Sequence, residues 1–114
     1  MNGSEKQIEW AEQIKKSALE NNRKTGILFL VEREEEKLAN AIEKQKSTAD
    51  IELQQARLND MNKIKTKIET CEDAKWFIDN RGEFNSMGTG NVEKLIGEKS
   101  EYRTYFAENR DALR

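Results

Sequence analysis

Ile8, Ala11, Ile14 and Ala18 recur at the three- and four-residue steps that line up one side of a helix, and Trp10 and Leu19 widen the stripe. Ser4 to Gln7 reads as a capping box in front of them, so a first helix is predicted over residues 5–21. It ends where Asn21-Asn22 and Thr25-Gly26 turn the chain. The apolar run Ile27 to Val31 is too short for periodicity alone to assign. Its continuation decides for helix. Leu28, Val31, Leu38, Ile42 and Ala49 fall on one heptad seam, Glu35 and Gln45 fill it, and residues 34–38 are strong helix formers, which predicts a second helix over 27–46.

Ser47 to Asp50 reads as a weak break in which Ser47 and Asp50 can form a cap. Leu58, Met61, Ile64, Ile68 and Cys71 make the next stripe, on a helix over 51–69. Capping residues between Thr70 and Asp73 then introduce a shorter helix over 71–81, unless the two join as one kinked helix. Gly82 closes it, and the Gly-rich stretch from Glu83 to Gly90 is predicted as the most mobile internal loop. Asn91 is placed to cap a last helix over 92–111, whose Val92, Leu95, Ile96, Tyr102, Phe106 and Leu113 form a broad apolar face. Gly97 interrupts that pattern, at a cost of about 1 kcal/mol relative to Ala.

As one rod, residues 27–69 would run about 65 Å at 1.5 Å per residue. Folding back at Ser47 to Asp50 instead brings the Leu28-Val31-Leu38-Ile42 stripe against the Leu58-Met61-Ile64-Ile68 stripe. The pattern thus predicts a single all-α domain over residues 1–114: a small antiparallel bundle of four to five helices around a long central helical hairpin, with a dimeric coiled coil as the alternative.

Composition limits what such a bundle can do. Leu, Ile, Val and Phe together supply only 23 of 114 residues, enough for a modest core, while 20 basic and 22 acidic residues leave a net charge of −2 and little self-repulsion. There is no His, no Pro and a single cysteine, Cys71, which removes His-based acid/base catalysis, a His/Cys zinc site and an intrachain disulfide. Accordingly no catalytic residue, metal or cofactor is assigned, and the expected class is non-enzymatic. The longest apolar run has five residues, the N-terminus shows no signal-peptide pattern, and a lone thiol fits a reducing compartment; the expectation is a cytoplasmic protein without membrane attachment.

Several residue groups are of types that carry chemistry. The carboxylates of Glu32, Glu34, Glu35 and Glu36 are of the type that holds Mg²⁺, but only Glu32 shares a face with Glu35 or Glu36, and Arg33 and Lys37 interleave, so a solvated face is expected. Arg57, Lys63, Lys65 and Lys67 are the candidates for nucleic-acid contact, diluted by Glu52, Asp60 and Glu69. Cys71 has no imidazole to activate it and reads as a small core residue. Trp10, Trp76 and Phe77 are expected to anchor the core. Phe84 and Met87, apolar side chains on the Gly-rich loop, are the first candidates for partner contact, and Trp76 and Arg81 join them in the partner-binding set.

Two stretches, Gly3 to Ile14 and Asp73 to Arg81, carry a resemblance. They resemble small helical proteins of bacteriophages and mobile elements, in which a GS-x-K-Q-x-x-W-A-x-x-I opening precedes a helical middle and an A-K-x-x-I-D-x-R close. The resemblance implies a protein that works by stoichiometric binding to a host protein or nucleoprotein, in the manner of anti-CRISPR inhibitors of bacterial immunity. A DNA-associated accessory role is the alternative. Both stretches would equally follow from the first helix docking on the fourth, Trp10 against Trp76.

Overall fold

The computed structural model describes residues 1–21, 24–88 and 92–113. Six α-helices follow one another: α1 (Glu5–Leu19), α2 (Ile27–Glu43), α3 (Thr48–Thr70), α4 (Ala74–Asp79), α5 (Val92–Ile96) and α6 (Glu101–Glu108), with a short 3-10 turn at Glu83–Ser86. The all-α bundle expected from the periodicity is present. Its axis is the hairpin of α2 and α3; α1 packs on α4 and touches both hairpin helices, and α5 and α6 lie along α3. The whole measures 51 × 26 × 19 Å.

Local chemistry sets most boundaries. Ser4 accepts from the Gln7 amide, and the Gln7 side chain accepts from the Ser4 amide, completing the capping box at the start of α1. Gly26 caps α2, and a Cβ there would lie 2.8 Å from the Leu19 carbonyl oxygen, so the close approach of the two helices requires glycine. Residue 22, part of the predicted turn, and Asn91, the predicted cap of the last helix, lie outside the described residues.

The hairpin turn is a Schellman motif. The Lys46 amide donates to the Ala41 carbonyl, the Gln45 amide to the Ile42 carbonyl, and Gln45 sits at φ 52°. Glycine is the usual residue there because a Cβ is penalised in the left-handed region. Gln45→Gly is therefore expected to raise the unfolding free energy by about 0.5–1 kcal/mol, read as a higher urea midpoint at unchanged slope. The Ser47 hydroxyl accepts from the Asp50 amide directly afterwards, so α3 starts at Thr48 rather than at residue 51.

Two expectations are corrected, the last helix and the seam of α2, and the alternative of one kinked helix over 51–81 is set aside. The last helix is two: Gly97 takes φ 72° and ends α5, and Ser100 opens α6, so the predicted 92–111 element and its continuous apolar face do not form. The helices over 51–69 and 71–81 are separated at Cys71 to Asp73, where Asn2 pairs with the chain: its amide donates to the Glu72 carbonyl and its carbonyl accepts from the Ala74 amide. The predicted seam of α2 holds only at Val31 and Leu38, which face the core. Ile27, Leu30, Val31 and Glu34 are buried, while Leu28, Glu35 and Ile42 face outward.

The α3 stripe is as predicted, with Leu58, Met61, Ile64 and Ile68 all buried. Phe77, Phe84, Met87 and Leu95 complete the core, where Trp76 meets Phe77 and Phe84 edge-on at 5.0 and 5.6 Å between ring centroids.

Candidate functional site

The segment sequence reasoning chose for partner contact is an internal one. Phe84 and Met87 are 5% and 1% exposed and belong to the core, because Glu83–Ser86 folds as a 3-10 turn that carries Phe84 onto the Trp76-Phe77 pair instead of forming an open loop. Trp76 is half-buried beside them, with the Lys67 ammonium 5.6 Å above its ring. Trp10 is the exception among the expected core aromatics. It is exposed, and Arg81, not Trp76, covers its ring at 5.1 Å, although α1 does dock on α4 as expected.

The basic residues of α3 are likewise occupied within the fold. Arg57 donates through Nη2 to the Gly88 carbonyl at 2.7 Å, places Nε 3.4 Å from Glu34 Oε1 and stacks its guanidinium over Tyr102 at 4.9 Å. It ties α2, the turn after the 3-10 segment and α6 to α3. Lys63 bridges Glu98 at 2.6 Å and Glu101 at 2.7 Å, and those bonds hold its ammonium above the usual lysine range. Lys65 is half-buried and Lys67 is committed to Trp76, so the four residues do not assemble into one free cationic face.

Glu34 explains why Arg57 is placed where it is. Its side chain is 1% exposed, accepts from Gln54 Nε2 at 2.6 Å and is approached by Arg33, Lys37 and Arg57 within 3.4 to 3.7 Å. Burial alone pushes its pKa up; the Gln54 hydrogen bond and the Lys37, Arg57 and Arg33 charges outweigh it and hold the carboxyl below its ordinary range. The solvated face expected for the four glutamates is thus corrected at Glu34, while Glu32, Glu35 and Glu36 stay exposed. Among the described residues, no three His, Cys, Asp or Glu side chains converge as a metal site would require.

What remains unpartnered is the outer face of α2. Leu28, Glu32, Glu35, Ala39 and Ile42 follow alternating four- and three-residue steps and are all exposed, Leu28 by 39% and Ile42 by 56%. Phe29, Glu36 and Glu43 flank them, exposed as well. Two apolar ends about 21 Å apart on the helix axis thus bracket an acidic middle. None of Glu32, Glu35, Glu36 and Glu43 has an ion-pair partner among the described residues. Sequence reasoning missed this face because it assigned Leu28 and Ile42 to the hairpin seam; the signal that could have found it is that Ile27, Val31, Glu34, Leu38 and Ala41 also follow alternating four- and three-residue steps. Among the described residues no helix is long and apolar enough to cross a membrane. No family model matches the chain, and no curated protein or solved structure is significantly similar to it.

Proposed function

We propose that this chain is a stoichiometric binding protein of phage or mobile-element type, which acts by occupying a surface on a host protein, with inhibition of a host defence system as its role. The observation that carries the reading is the outer face of α2: large apolar side chains at both ends and four unpaired carboxylates between and beside them, on a helix whose opposite side is fixed in the core. Leu28 and Ile42 supply anchors of the kind that fill pockets in helix-in-groove recognition, and the carboxylates select a basic rim around the groove. A second copy of the chain fits this face poorly. In an antiparallel pairing about the middle of α2, Glu35 would confront its own counterpart and Glu36 would confront Glu34 of the other copy. The resemblance of Gly3 to Ile14 and Asp73 to Arg81 to phage and mobile-element proteins supports the origin and the defence-directed role.

A photo-crosslinking residue at Glu35, used in a bacterial lysate, is expected to trap one defined species of one-to-one stoichiometry whose contacted surface is basic. Leu28→Glu/Ile42→Glu is expected to weaken its capture by at least about a hundredfold, the loss of two buried anchors, while Asn62→Glu on α3 leaves capture unchanged. Trapping of the chain's own dimer alone, or equal capture by the double variant, overturns the reading. DNA retention that falls steeply with salt and depends on Lys65 and Lys67 would instead favour the DNA-associated role.

A further inference from the structure

We propose that the hairpin end of the molecule carries a binding site for a small polyphosphate anion, independent of the outer face of α2. A groove of 560 Å³ opens there between the last turns of α2, the first turns of α3 and Tyr102 of α6. Four cations line it, Lys37, Lys44, Lys46 and Arg57, against one lining carboxylate, Asp50. In a chain whose acids outnumber its bases by two, this gathering is contrary to the overall balance. Like charges brought together in a concave site repel one another unless an anion neutralises them, and the concavity strengthens the field felt by such an anion.

The cations are placed by different devices. Arg57 is immobilised by Glu34 and the Gly88 carbonyl, and Lys37 lies 3.7 Å from the same Glu34 carboxylate, so these two are half-neutralised and fixed. Lys44 and Lys46 have no ion-pair partner among the described residues. They stand on either side of Gln45, whose left-handed backbone turns the chain so that both neighbours line the groove. A non-glycine residue in that conformation at the rim of a cationic groove is the kind of strain that accompanies binding sites. The volume lies within the range of small-ligand sites, and the four cationic side chains in the lining suit a hydrated, multiply charged anion. Lysine binds phosphate as a point charge and needs no fixed geometry, so a chain of two or three phosphate groups can span from the Arg57 end to Lys44 and Lys46.

Isothermal titration calorimetry of the full chain with inorganic tripolyphosphate in low salt tests the site. Saturable one-to-one binding is expected, weakening as salt rises. Lys44→Glu/Lys46→Glu is expected to lower the affinity at least about tenfold, since two attractive contacts become repulsive, while Lys6→Glu/Lys16→Glu, with the same change in net charge on the exposed side of α1, changes it less than about twofold. The neutral pair Lys44→Gln/Lys46→Gln, measured alongside with its circular dichroism, guards against a folding defect and should fall between. Chemical-shift changes confined to Lys37, Asp50, Leu53 and Gln54 would support the location. ATP and tripolyphosphate distinguish the sources: equal affinity assigns a bare phosphate chain, tighter ATP binding assigns a nucleotide, and either supports the site. Absence of saturable binding, an equal loss in both charge-reversed variants, or much tighter binding of a ten-nucleotide single strand overturns it.

Discussion

Replacing Glu34 by alanine is expected to cost about 3 kcal/mol of unfolding free energy, whereas the same change at Glu35 should stay within about 0.5 kcal/mol. The two residues are neighbours in an acidic run and look interchangeable in the sequence. Glu34 is 1% exposed, and removal of its carboxylate leaves the Gln54 amide with only its 3.3 Å bond to the residue 34 carbonyl and the Arg57 Nε without its partner. The figure sits at the lower end for a broken buried pair because Arg57, Arg33 and Lys37 retain access to water. Glu34→Gln keeps one acceptor and should lose about half as much. The pH dependence has a definite sign. A carboxyl whose pKa is lowered by folding contributes stability that is complete above its ordinary value, about 4.3, and is lost as pH falls through the lowered one. The gap between wild type and Glu34→Ala is therefore expected to be full at pH 7 and to narrow below about pH 4. Urea denaturation at both pH values measures it; a Glu34→Ala variant as stable as Glu35→Ala at pH 7 would refute the network.

The same residue marks where the sequence stops being legible. Periodicity identifies amphipathic helices from apolar positions, so it places α1 and the Leu58-Met61-Ile64-Ile68 side of α3 correctly. On α2 two heptad seams compete, each interrupted by one glutamate, and the apolar series Leu28, Val31, Leu38 and Ile42 selects the one through Glu35. In the fold, a carboxylate held by Gln54 and Arg57 occupies the seam instead, and Leu28 and Ile42 are displaced outward. That choice depends on partners 20 and 23 residues away in the chain, at Gln54 and Arg57, which no local pattern records. Phe84 and Met87 fail for a related reason. Glycines on both sides suggest an exposed loop, yet whether such a segment folds inward depends on an apolar surface, here Trp76 and Phe77, being there to receive it. The outer α2 face and the groove were unreadable in turn, since each follows from the seam and the turn once those are placed.

Asp60→Ala is expected to release α6 from the molecule while the rest stays folded. No residue of α6 is buried, so this helix is not held by apolar packing. Its attachment is polar and centres on Asp60, a buried carboxylate of α3. The Ser100 hydroxyl donates to Asp60 Oδ2 at 2.6 Å, and the amides of Glu101 and Tyr102 donate to Oδ1 and Oδ2 at 2.8 and 3.2 Å. The Ser100 hydroxyl in turn accepts from the Arg103 amide. A carboxylate from another helix thus fills the role of a local cap, taking up first-turn donors that α6 cannot satisfy itself and favouring the positive end of its dipole. Around it, Glu101 is bonded to Lys63 and Asn59, which hold its carboxyl below the usual range, and the Tyr105 hydroxyl donates to Glu52. These peripheral contacts lie near solvent and add little to the attachment. Losing Asp60 removes a cap and strands buried donors, together about 3 kcal/mol. An isolated helix of eight residues does not persist in water, so detachment is unfolding of α6. Native-state hydrogen exchange should show α6 amides opening roughly a hundredfold more often, by the equivalence of 1.4 kcal/mol to tenfold. Amides of α1 and of the buried side of α3 should keep their protection. Uniform loss of protection along the chain would mean that α6 is integral to the core, and an unchanged α6 would mean that its own sequence holds it. Because Tyr102 forms one wall of the cationic groove, tripolyphosphate binding should weaken in the same variant even though none of the lysines has been altered.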